Sequence, residues 1–375
     1  LLLRGAGRYT DDINEPGQAY AYMVRSPHAH GVLKKVDIEN AKGMPGVLAI
    51  YTAADLAAYG PHKCALDFKQ RDGSAMKKPI RKSLAQDKVR FVGDPVACVV
   101  AETYLQAKDA AEAVQLDIEP LPAVATASDA AKPGAPQLYD DVPGNVALDF
   151  LWGDPDKVAE AFRNASHVCK LSLRNTRVVV AAMEPRAGIC SFDKSNGKWT
   201  LTVPGQGVWG QKGQLVDILG VTPDKVRIRT FHVGGSFGMK APIYPEYVCL
   251  AHAARALGRP VKWTDERSGA FLSDHHGRDH EMTGELALSA EGQILALRIT
   301  GYGNVGAYLS TVAPQPPSMN VVRNVCGVYR IPLLEVSTKV CFTNTSPVSA
   351  YRGAGRPEAN MYIERLMDET ARQMG

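Results

Sequence analysis

Two glycine-rich loops, far apart in the chain, constrain the fold more than any other feature. The first runs from Gly234 to Lys240 (GGSFGMK) and the second from Ala350 to Pro357 (AYRGAGRP). Without side chains in the way, backbone amides in such loops can approach a ligand closely. Each loop also keeps one large residue, Phe237 or Arg352. This combination favours a phosphate-bearing, anionic cofactor, with a tight turn between packed elements as the alternative.

The first loop follows a predicted strand at Val226–Thr230 and precedes a predicted helix at Pro245–Leu257. Backbone amides converge on anions at such junctions. The loop lacks the Gly-Lys-Ser/Thr ending of a Walker A motif. It also lacks the G-x-G-x-x-G spacing of a dinucleotide-binding fingerprint. Spacing alone therefore leaves both the cofactor loop and the structural turn open.

The second loop opens a predicted helix at Glu358–Gln373. Its amides are expected near the positive end of the helix dipole. Arg352 and Arg356 add positive charge suited to a phosphate or an oxyanion. Two solvated arginines at a helix start are the alternative interpretation.

Composition narrows the class of protein. The chain has 375 residues, a net charge of +4 and seven cysteines, and this length suggests two or three domains. So small a charge gives no argument for a nucleic-acid or membrane-surface partner. The cysteines are scattered without a C-x-x-C pair, which argues against disulfides and against an iron–sulfur cluster on this chain. No apolar run is long enough to span a membrane, so we expect a cytoplasmic protein with buried free thiols.

The hydrophobic pattern divides the chain into two α/β regions. Residues 1–120 form the first, residues 121–145 are a proline-rich linker without helix or strand, and residues 146–375 form the second. Strands are predicted in the first region at 20–25, 47–51 and 96–101, with a helix at 103–114 capped by Thr103. In the second region, strands are predicted at 168–173, 199–203, 226–230, 261–263, 281–288 and 294–302, and helices at 211–219, 245–257 and 358–373.

Five stretches occur in the order typical of one enzyme family. They are residues 5–13, 25–30, 234–240, 258–263 and 350–356. Together they resemble the large, molybdenum-binding subunit of the xanthine dehydrogenase, aldehyde oxidase and aerobic carbon monoxide dehydrogenase family, with Ser236 in place of the third glycine of the first loop. The resemblance implies an α/β (α+β) fold, with a hammerhead-type N-terminal domain followed by the first molybdenum-cofactor-binding domain.

The resemblance also implies cofactors and partners. The cofactor would be molybdopterin with molybdenum, often as the cytosine dinucleotide in bacteria. Such enzymes hydroxylate an electron-poor carbon with oxygen from water. Their electrons leave through 2Fe–2S clusters to FAD, which here would lie on a small iron–sulfur subunit and a medium FAD subunit. The full enzyme would be a dimer of heterotrimers, with membrane association through partners left open.

Specific residues carry family roles by position. Gln206 matches the glutamine that hydrogen-bonds the apical molybdenum oxygen, and a neutral amide can donate to an oxo group without competing as a ligand. Phe237 matches the phenylalanine that borders the metal, and Arg352 matches the arginine of the active-site loop. Together these features imply one molybdenum site without protein side chains as direct ligands. The residues that contribute backbone by the same match are Gly235, Ser236, Gly238, Gly353 and Ala354.

Two departures from the family pattern limit the substrate. Gly353 stands where carbon monoxide dehydrogenases carry a copper-binding cysteine, and glycine cannot ligate Cu(I). Ala241 stands where xanthine-oxidising members carry a purine-binding glutamate. We therefore expect no copper, and neither carbon monoxide nor xanthine as substrate. The substrate that we expect is therefore an aldehyde or an N-heteroaromatic compound.

Other residues have no assigned role in this interpretation. The family's catalytic glutamate has no match in residues 1–375, so we expect about half of a large subunit, inactive by itself. Glu184 recurs in the family, and the sequence indicates no function for it. His275, His276 and His280 lack the partners of a zinc site. The alternative function is a non-catalytic phosphate-binding or assembly module, and Gln206 favours the enzyme.

Overall fold

The computed structural model describes all 375 residues and contains fifteen strands and nine α-helices. The strands are β1 (Ala19–Arg25), β2 (Gly31–Asp37), β3 (Val47–Tyr51), β4 (Lys88–Val89), β5 (Pro95–Ala101), β6 (Gln115–Pro120), β7 (Val146–Trp152), β8 (His167–Asn175), β9 (Ala187–Asp193), β10 (Lys198–Thr202), β11 (Val226–Arg229), β12 (Val261–Thr264), β13 (His280–Leu288), β14 (Ile294–Gly306) and β15 (Leu334–Phe342). The helices are α1 (Glu39–Lys42), α2 (Tyr104–Ala113), α3 (Ala127–Ala130), α4 (Pro155–Arg163), α5 (Val208–Leu219), α6 (Pro245–Leu257), α7 (Arg267–Ser273), α8 (Met319–Asn324) and α9 (Arg356–Met374).

The first of two structural units contains a seven-stranded sheet and a three-stranded sheet. It combines Leu1–Lys63, Ile80–Ala123 and Val180–Asp274. The larger sheet has the order β11-β10-β9-β12-β1-β5-β3, and the smaller has the order β4-β2-β6. All seven residues of β5 are buried, as the nearly continuous apolar run predicts. This unit carries the first glycine-rich loop, which follows β11.

The second unit is built on a five-stranded sheet of order β7-β15-β14-β13-β8. It combines Cys64–Pro79, Val124–Val179 and His275–Gly375. The predicted hairpin of β13 and β14 is confirmed as an antiparallel pair. The α9 helix packs on β8 and β13, and Gly284 of β13 leaves room there for Leu366. This unit carries the second glycine-rich loop, directly before α9.

Helix ends follow the predicted chemistry. The Thr103 hydroxyl accepts a hydrogen bond from the backbone N–H of Gln106 at the start of α2. Gly258 ends α6 with a left-handed backbone, φ 66°. The α5 helix begins at Val208, three residues before the predicted start at Gln211.

The stretch 121–145 is more structured than its prolines indicate. The short α3 helix lies inside it, and Leu138, Tyr139 and Val142 are buried. The exclusion of helix from this stretch is therefore wrong for four residues, because Ala127–Ala130 falls between the proline positions. The predicted domain bounds 1–120, 121–145 and 146–375 stay a prediction, and the first unit takes residues from both predicted domains.

All seven cysteines are free, and six of them are buried. None of the helices combines the length and the apolar character needed to cross a membrane.

Candidate cofactor-binding loops

The first glycine-rich loop has a tightly constrained backbone. A Cβ atom on Gly234 would lie 2.5 Å from the Cβ of Glu184, so only glycine fits there. Phe237 has a left-handed backbone, φ 51°, although it is not a glycine. The residue is 41% exposed. The loop thus presents an aromatic ring at the surface of the unit, where sequence analysis places the border of the metal site.

Gln206 is oriented by this loop. Its side-chain oxygen Oε1 accepts hydrogen bonds from the backbone N–H of Gly238, at 2.8 Å, and from the Ser236 hydroxyl. A backbone N–H only donates, so the oxygen end of the amide must face the loop. The Nε2 end makes no hydrogen bond within the chain, and the side chain is exposed. Gln206 therefore presents two N–H donors outward.

Glu184 joins the two ends of the same loop. Its Oε2 atom accepts from the Gly234 N–H at 2.8 Å and from the Lys240 ammonium at 2.9 Å. Lys240 is buried, and burial lowers the pKa of its ammonium, an effect that the hydrogen bond and charge of Glu184 partly offset. The contacts give Glu184 a structural role, which the sequence left open beside an unassigned function.

A buried cluster of charged side chains is centred on Arg186, the residue directly before β9. Arg186 is fully buried and pairs with Glu246, Asp265 and Asp274. Arg25 also bonds Glu246, at 2.9 Å. Burial raises the pKa of Asp265 to about 6, with Arg25 and Arg186 lowering it and the neighbouring carboxylates raising it further. Sequence reasoning missed this cluster, because its members are spread over 250 residues without a motif.

The guanidinium of Arg186 also lies 3.8 Å from the ring centroid of Tyr244. Burial raises the pKa of Glu246, but the charges of Arg186 and Arg25 lower it by more. The resulting pKa lies well below the usual range for a glutamate. Both arginines thus keep that carboxylate ionised. The cluster fixes the strand that follows Glu184.

The second loop, in the second unit, is held by its own backbone and by two side chains outside it. Gly353, Ala354 and Gly355 have left-handed φ angles of 99°, 46° and 92°. The Ala354 N–H donates to the Tyr351 carbonyl at 2.7 Å, and the Asn320 amide donates to the Ala354 carbonyl at 2.6 Å. The chain then enters α9, as predicted.

Arg278 is the second of these side chains. Its guanidinium donates to the carbonyl of Arg352 at 2.9 Å and lies 4.9 Å from the ring centroid of Tyr351. It also pairs with the buried carboxylate of Glu358 at 2.9 Å. No sequence signal marked Arg278, because it stands 74 residues from the loop carbonyl that it holds. The Arg356 side chain bonds the Gly353 carbonyl at 3.1 Å, so it closes the loop.

The predicted residues are thus divided between the two units. The first unit brings Gln206 together with the loop residues Gly235, Ser236, Phe237 and Gly238. The second unit carries Arg352, Gly353 and Ala354. A polar cleft of about 560 Å³ on the five-stranded sheet is lined by none of these residues.

The chemistry of the first-unit residues fits a molybdenum cofactor. Gln206 offers neutral N–H donors to an oxygen atom, and the exposed ring of Phe237 lies on the same loop. No group of three or more His, Cys, Asp or Glu side chains is placed to hold a metal directly. A metal brought by its own organic ligand is compatible with this donor set.

Family models match both parts of the chain. Residues 138–375 match the molybdopterin cofactor-binding domain. Residues 4–122 match the a/b hammerhead domain of aldehyde oxidase and xanthine dehydrogenase. The chain belongs to the xanthine dehydrogenase and aldehyde oxidase family of molybdenum-binding subunits. The predicted order of a hammerhead domain and a molybdopterin-binding domain is confirmed.

Individual members of this family are similar over the whole chain. The carbon monoxide dehydrogenase large chain of Hydrogenophaga pseudoflava is 34% identical over 100% of this chain and 47% of its own length. The nicotine 6-hydroxylase large subunit of Paenarthrobacter nicotinovorans is 34% identical over 100% of this chain and 45% of its own. The structure of quinoline 2-oxidoreductase from Pseudomonas putida 86 superposes with a TM-score of 0.92 at 30% identity, covering 100% of this chain and 47% of that one. The chain therefore spans about half the length of the relatives it matches.

Proposed function

We propose that this chain is part of the large subunit of a molybdenum hydroxylase that oxidises an aldehyde or an N-heteroaromatic carbon. The observation that carries the proposal is the orientation of Gln206. Its oxygen is occupied by Gly238 and Ser236, and its two N–H donors face outward. A binder of phosphate alone has no need for a neutral amide held in this way.

The roles of the chain's own residues follow from their positions. A bound molybdenum cofactor would supply the two-electron oxidation of the substrate carbon, with water as the source of the oxygen that the carbon gains. Gln206 donates a hydrogen bond to an oxygen of the cofactor, and Phe237 shields one side of it from water. In the second unit, the backbone N–H groups of Arg352 and Gly353 would contribute donors by the family match, whereas the N–H of Ala354 is taken by the Tyr351 carbonyl. Donors fixed before the reaction need no reorganisation during it.

The choice of substrate class rests on two positions and on the relatives. Gly353 offers no thiolate for copper, and Ala241 offers no carboxylate for a purine. Among the relatives, the names nicotine 6-hydroxylase and quinoline 2-oxidoreductase denote activity on nitrogen heteroaromatic rings. We therefore place N-heteroaromatic compounds first and aldehydes second.

Partners and cofactors complete the proposal. The chain has no cysteine motif for an iron–sulfur cluster. We propose that an iron–sulfur subunit and an FAD subunit take the electrons, and that the molybdopterin is the cytosine dinucleotide. Relatives described as a large chain and as a subunit of a complex support such an assembly.

The experiment is a substrate assay on the complex expressed with its neighbouring subunits. Quinoline, nicotine, benzaldehyde, xanthine and carbon monoxide are each offered in ¹⁸O-labelled water with an artificial electron acceptor. We expect ¹⁸O in the product of a heteroaromatic compound or an aldehyde. Turnover of carbon monoxide or xanthine in preference to both classes contradicts the proposed specificity. Failure of every substrate in a complex without molybdenum favours the non-catalytic module.

A further inference from the structure

We propose that Glu184 and Lys240 are positioning residues, which together fix the first glycine-rich loop and the backbone of Gln206 for the cofactor. The inference rests on the proposed function, since it assigns the pair a purpose at that site. Its structural basis is a set of contacts that converge on the first and last residues of the loop.

Glu184 contacts both loop ends through its side chain and its main chain. Its carboxylate receives the Gly234 N–H and the Lys240 ammonium, at 2.8 and 2.9 Å. Its own backbone N–H donates to the Gly234 carbonyl at 3.0 Å. Its carbonyl accepts from the Lys240 ammonium at 2.7 Å. Four hydrogen bonds thus close the loop on one residue.

Lys240 links the closed end of the loop to Gln206. The Lys240 carbonyl accepts from the backbone N–H of Gln206 at 3.1 Å and from the side chain of Gln211 at 3.0 Å. The Lys240 N–H donates to the Ser236 hydroxyl at 3.3 Å. That hydroxyl in turn bonds the Gln206 side chain. Lys240 therefore touches both the backbone of Gln206 and the group that orients its amide.

Burial makes the pair sensitive to loss of either partner. The Lys240 side chain is fully buried and that of Glu184 is 10% exposed. A buried ammonium without its carboxylate is strongly unfavourable, so removing the charge of Glu184 destabilises this arrangement of the loop. A shift of the loop moves the Gly238 N–H and the Ser236 hydroxyl, which are the two donors that hold the Gln206 oxygen.

The test compares three variants in the complex with its neighbouring subunits. Glu184→Gln keeps an acceptor for Gly234 but removes the charge. Glu184→Asp keeps the charge but shortens the side chain by one methylene, so it cannot reach both loop ends. Glu102→Gln, in the exposed pair with Arg259, is the matched control. Hydrogen–deuterium exchange of the 232–242 peptide, molybdenum content and the Mo(V) paramagnetic spectrum are measured on the folded complex.

For both Glu184 variants we expect loop amides to exchange at least about 10-fold faster, since they lose their closing contacts. We also expect a shifted Mo(V) spectrum or molybdenum content lower by about 10-fold, a typical loss for an outer-shell partner. The control should match the unmodified complex. Unchanged exchange and an unchanged spectrum in a molybdenum-containing complex overturn the inference. If Glu184→Gln does not fold, Glu184→Asp alone decides by the same criteria.

The failure of the proposed function gives a different result. In that case the unmodified complex contains no molybdenum. The exchange measurement still reports whether Glu184 closes the loop, but a positioning role toward the cofactor is then excluded.

Discussion

The backbone N–H of Gly238 donates to the side-chain oxygen of Gln206 at 2.8 Å. This bond decides which end of the Gln206 side-chain amide faces outward, because a backbone N–H can donate but cannot accept. The residues are 32 positions apart. The first glycine-rich loop and Gln206, in the segment after β10, therefore form one structural arrangement. Gly238 supplies the donor to the side-chain oxygen, and Gln206 presents its own N–H groups outward.

Replacing Gln206 by glutamate tests whether its outward N–H donors contribute to catalysis. The variant has the same shape, and one carboxylate oxygen still accepts from Gly238, but the outward N–H donors are lost. We expect kcat to fall about 100-fold or more, as for loss of one preorganised donor to a reacting oxygen. Steady-state kinetics of the complex measure this. Gln115→Glu on the exposed start of β6 is the control and should retain full activity. A Gln206→Glu enzyme with unchanged kcat would remove Gln206 from the site.

Ser236 should have a smaller effect than Gln206. Ser236→Ala removes one of two donors to the Gln206 oxygen, and the Gly238 N–H remains. A neutral hydrogen bond of this kind contributes about 1 kcal/mol, which corresponds to about a 5-fold loss in kcat. Ser236→Gly restores the glycine of the family loop and should behave alike. A loss as large as that of Gln206→Glu would mean that Ser236 itself contacts the cofactor or the substrate.

Gly353 should not accept a copper-binding cysteine. Its φ of 99° is one that side chains rarely adopt, and a Cβ there would lie 2.5 Å from the Cδ of Pro357. Left-handed backbone costs roughly 1–2 kcal/mol for a residue with a side chain. We expect Gly353→Cys and Gly353→Ala to lower the unfolding temperature equally, and neither to bind copper. Calorimetry and metal analysis check this. Stoichiometric copper in a Gly353→Cys enzyme of unchanged stability would show that the loop adapts to a thiolate.

The raised pKa of Asp265 predicts that the free energy of unfolding depends on pH. Its pKa is raised to about 6 from 3.8, chiefly by burial. The folded state then holds a proton that the unfolded state releases between about pH 4 and 6. The contribution of this group to stability is present below pH 4 and lost as the pH rises through 6. Asp265→Asn, neutral at every pH, removes that loss.

The measurement is the free energy of unfolding at pH 4, 5, 6 and 7. In the unmodified protein, the Asp265 contribution should decline between pH 4 and pH 7 by about 2 kcal/mol, at 1.36 kcal/mol per pKa unit. The difference between Asp265→Asn and the unmodified protein should therefore grow in favour of the variant as the pH rises. A difference that does not change with pH would show that Asp265 keeps its usual pKa.

The sequence predicted elements best where local signals agree with packing. The buried, apolar strand β5 is one example. Others are α2, which begins at its predicted cap Thr103, and α6, which ends at its predicted cap Gly258. Six strands were missed, namely β2, β4, β6, β7, β9 and β15. In β2, consecutive lysines interrupt the alternation of apolar and polar residues. The strands β2 and β15 pair with β6 and β7, which lie far along the chain, so no local pattern marks these pairings.

The candidate site was predictable only in part. Family motifs marked Gln206 and the loop residues, but the residues that hold them came from the structure. Arg278, Glu184 and Arg186 act through contacts to segments 50 to 88 residues away. Such contacts depend on tertiary packing and leave no periodic trace in a single sequence. Arg356, expected to add charge for a ligand, also donates a hydrogen bond to the Gly353 carbonyl, and its role toward a ligand stays a prediction.

The most direct test of the account is the molybdenum and pterin content of the protein purified with its neighbouring subunits. Metal analysis and oxidation of the released pterin give both quantities per chain. We expect about one molybdenum and one pterin per large subunit in the unmodified complex, as one cofactor-binding site requires. Absence of both from a correctly assembled complex would contradict it.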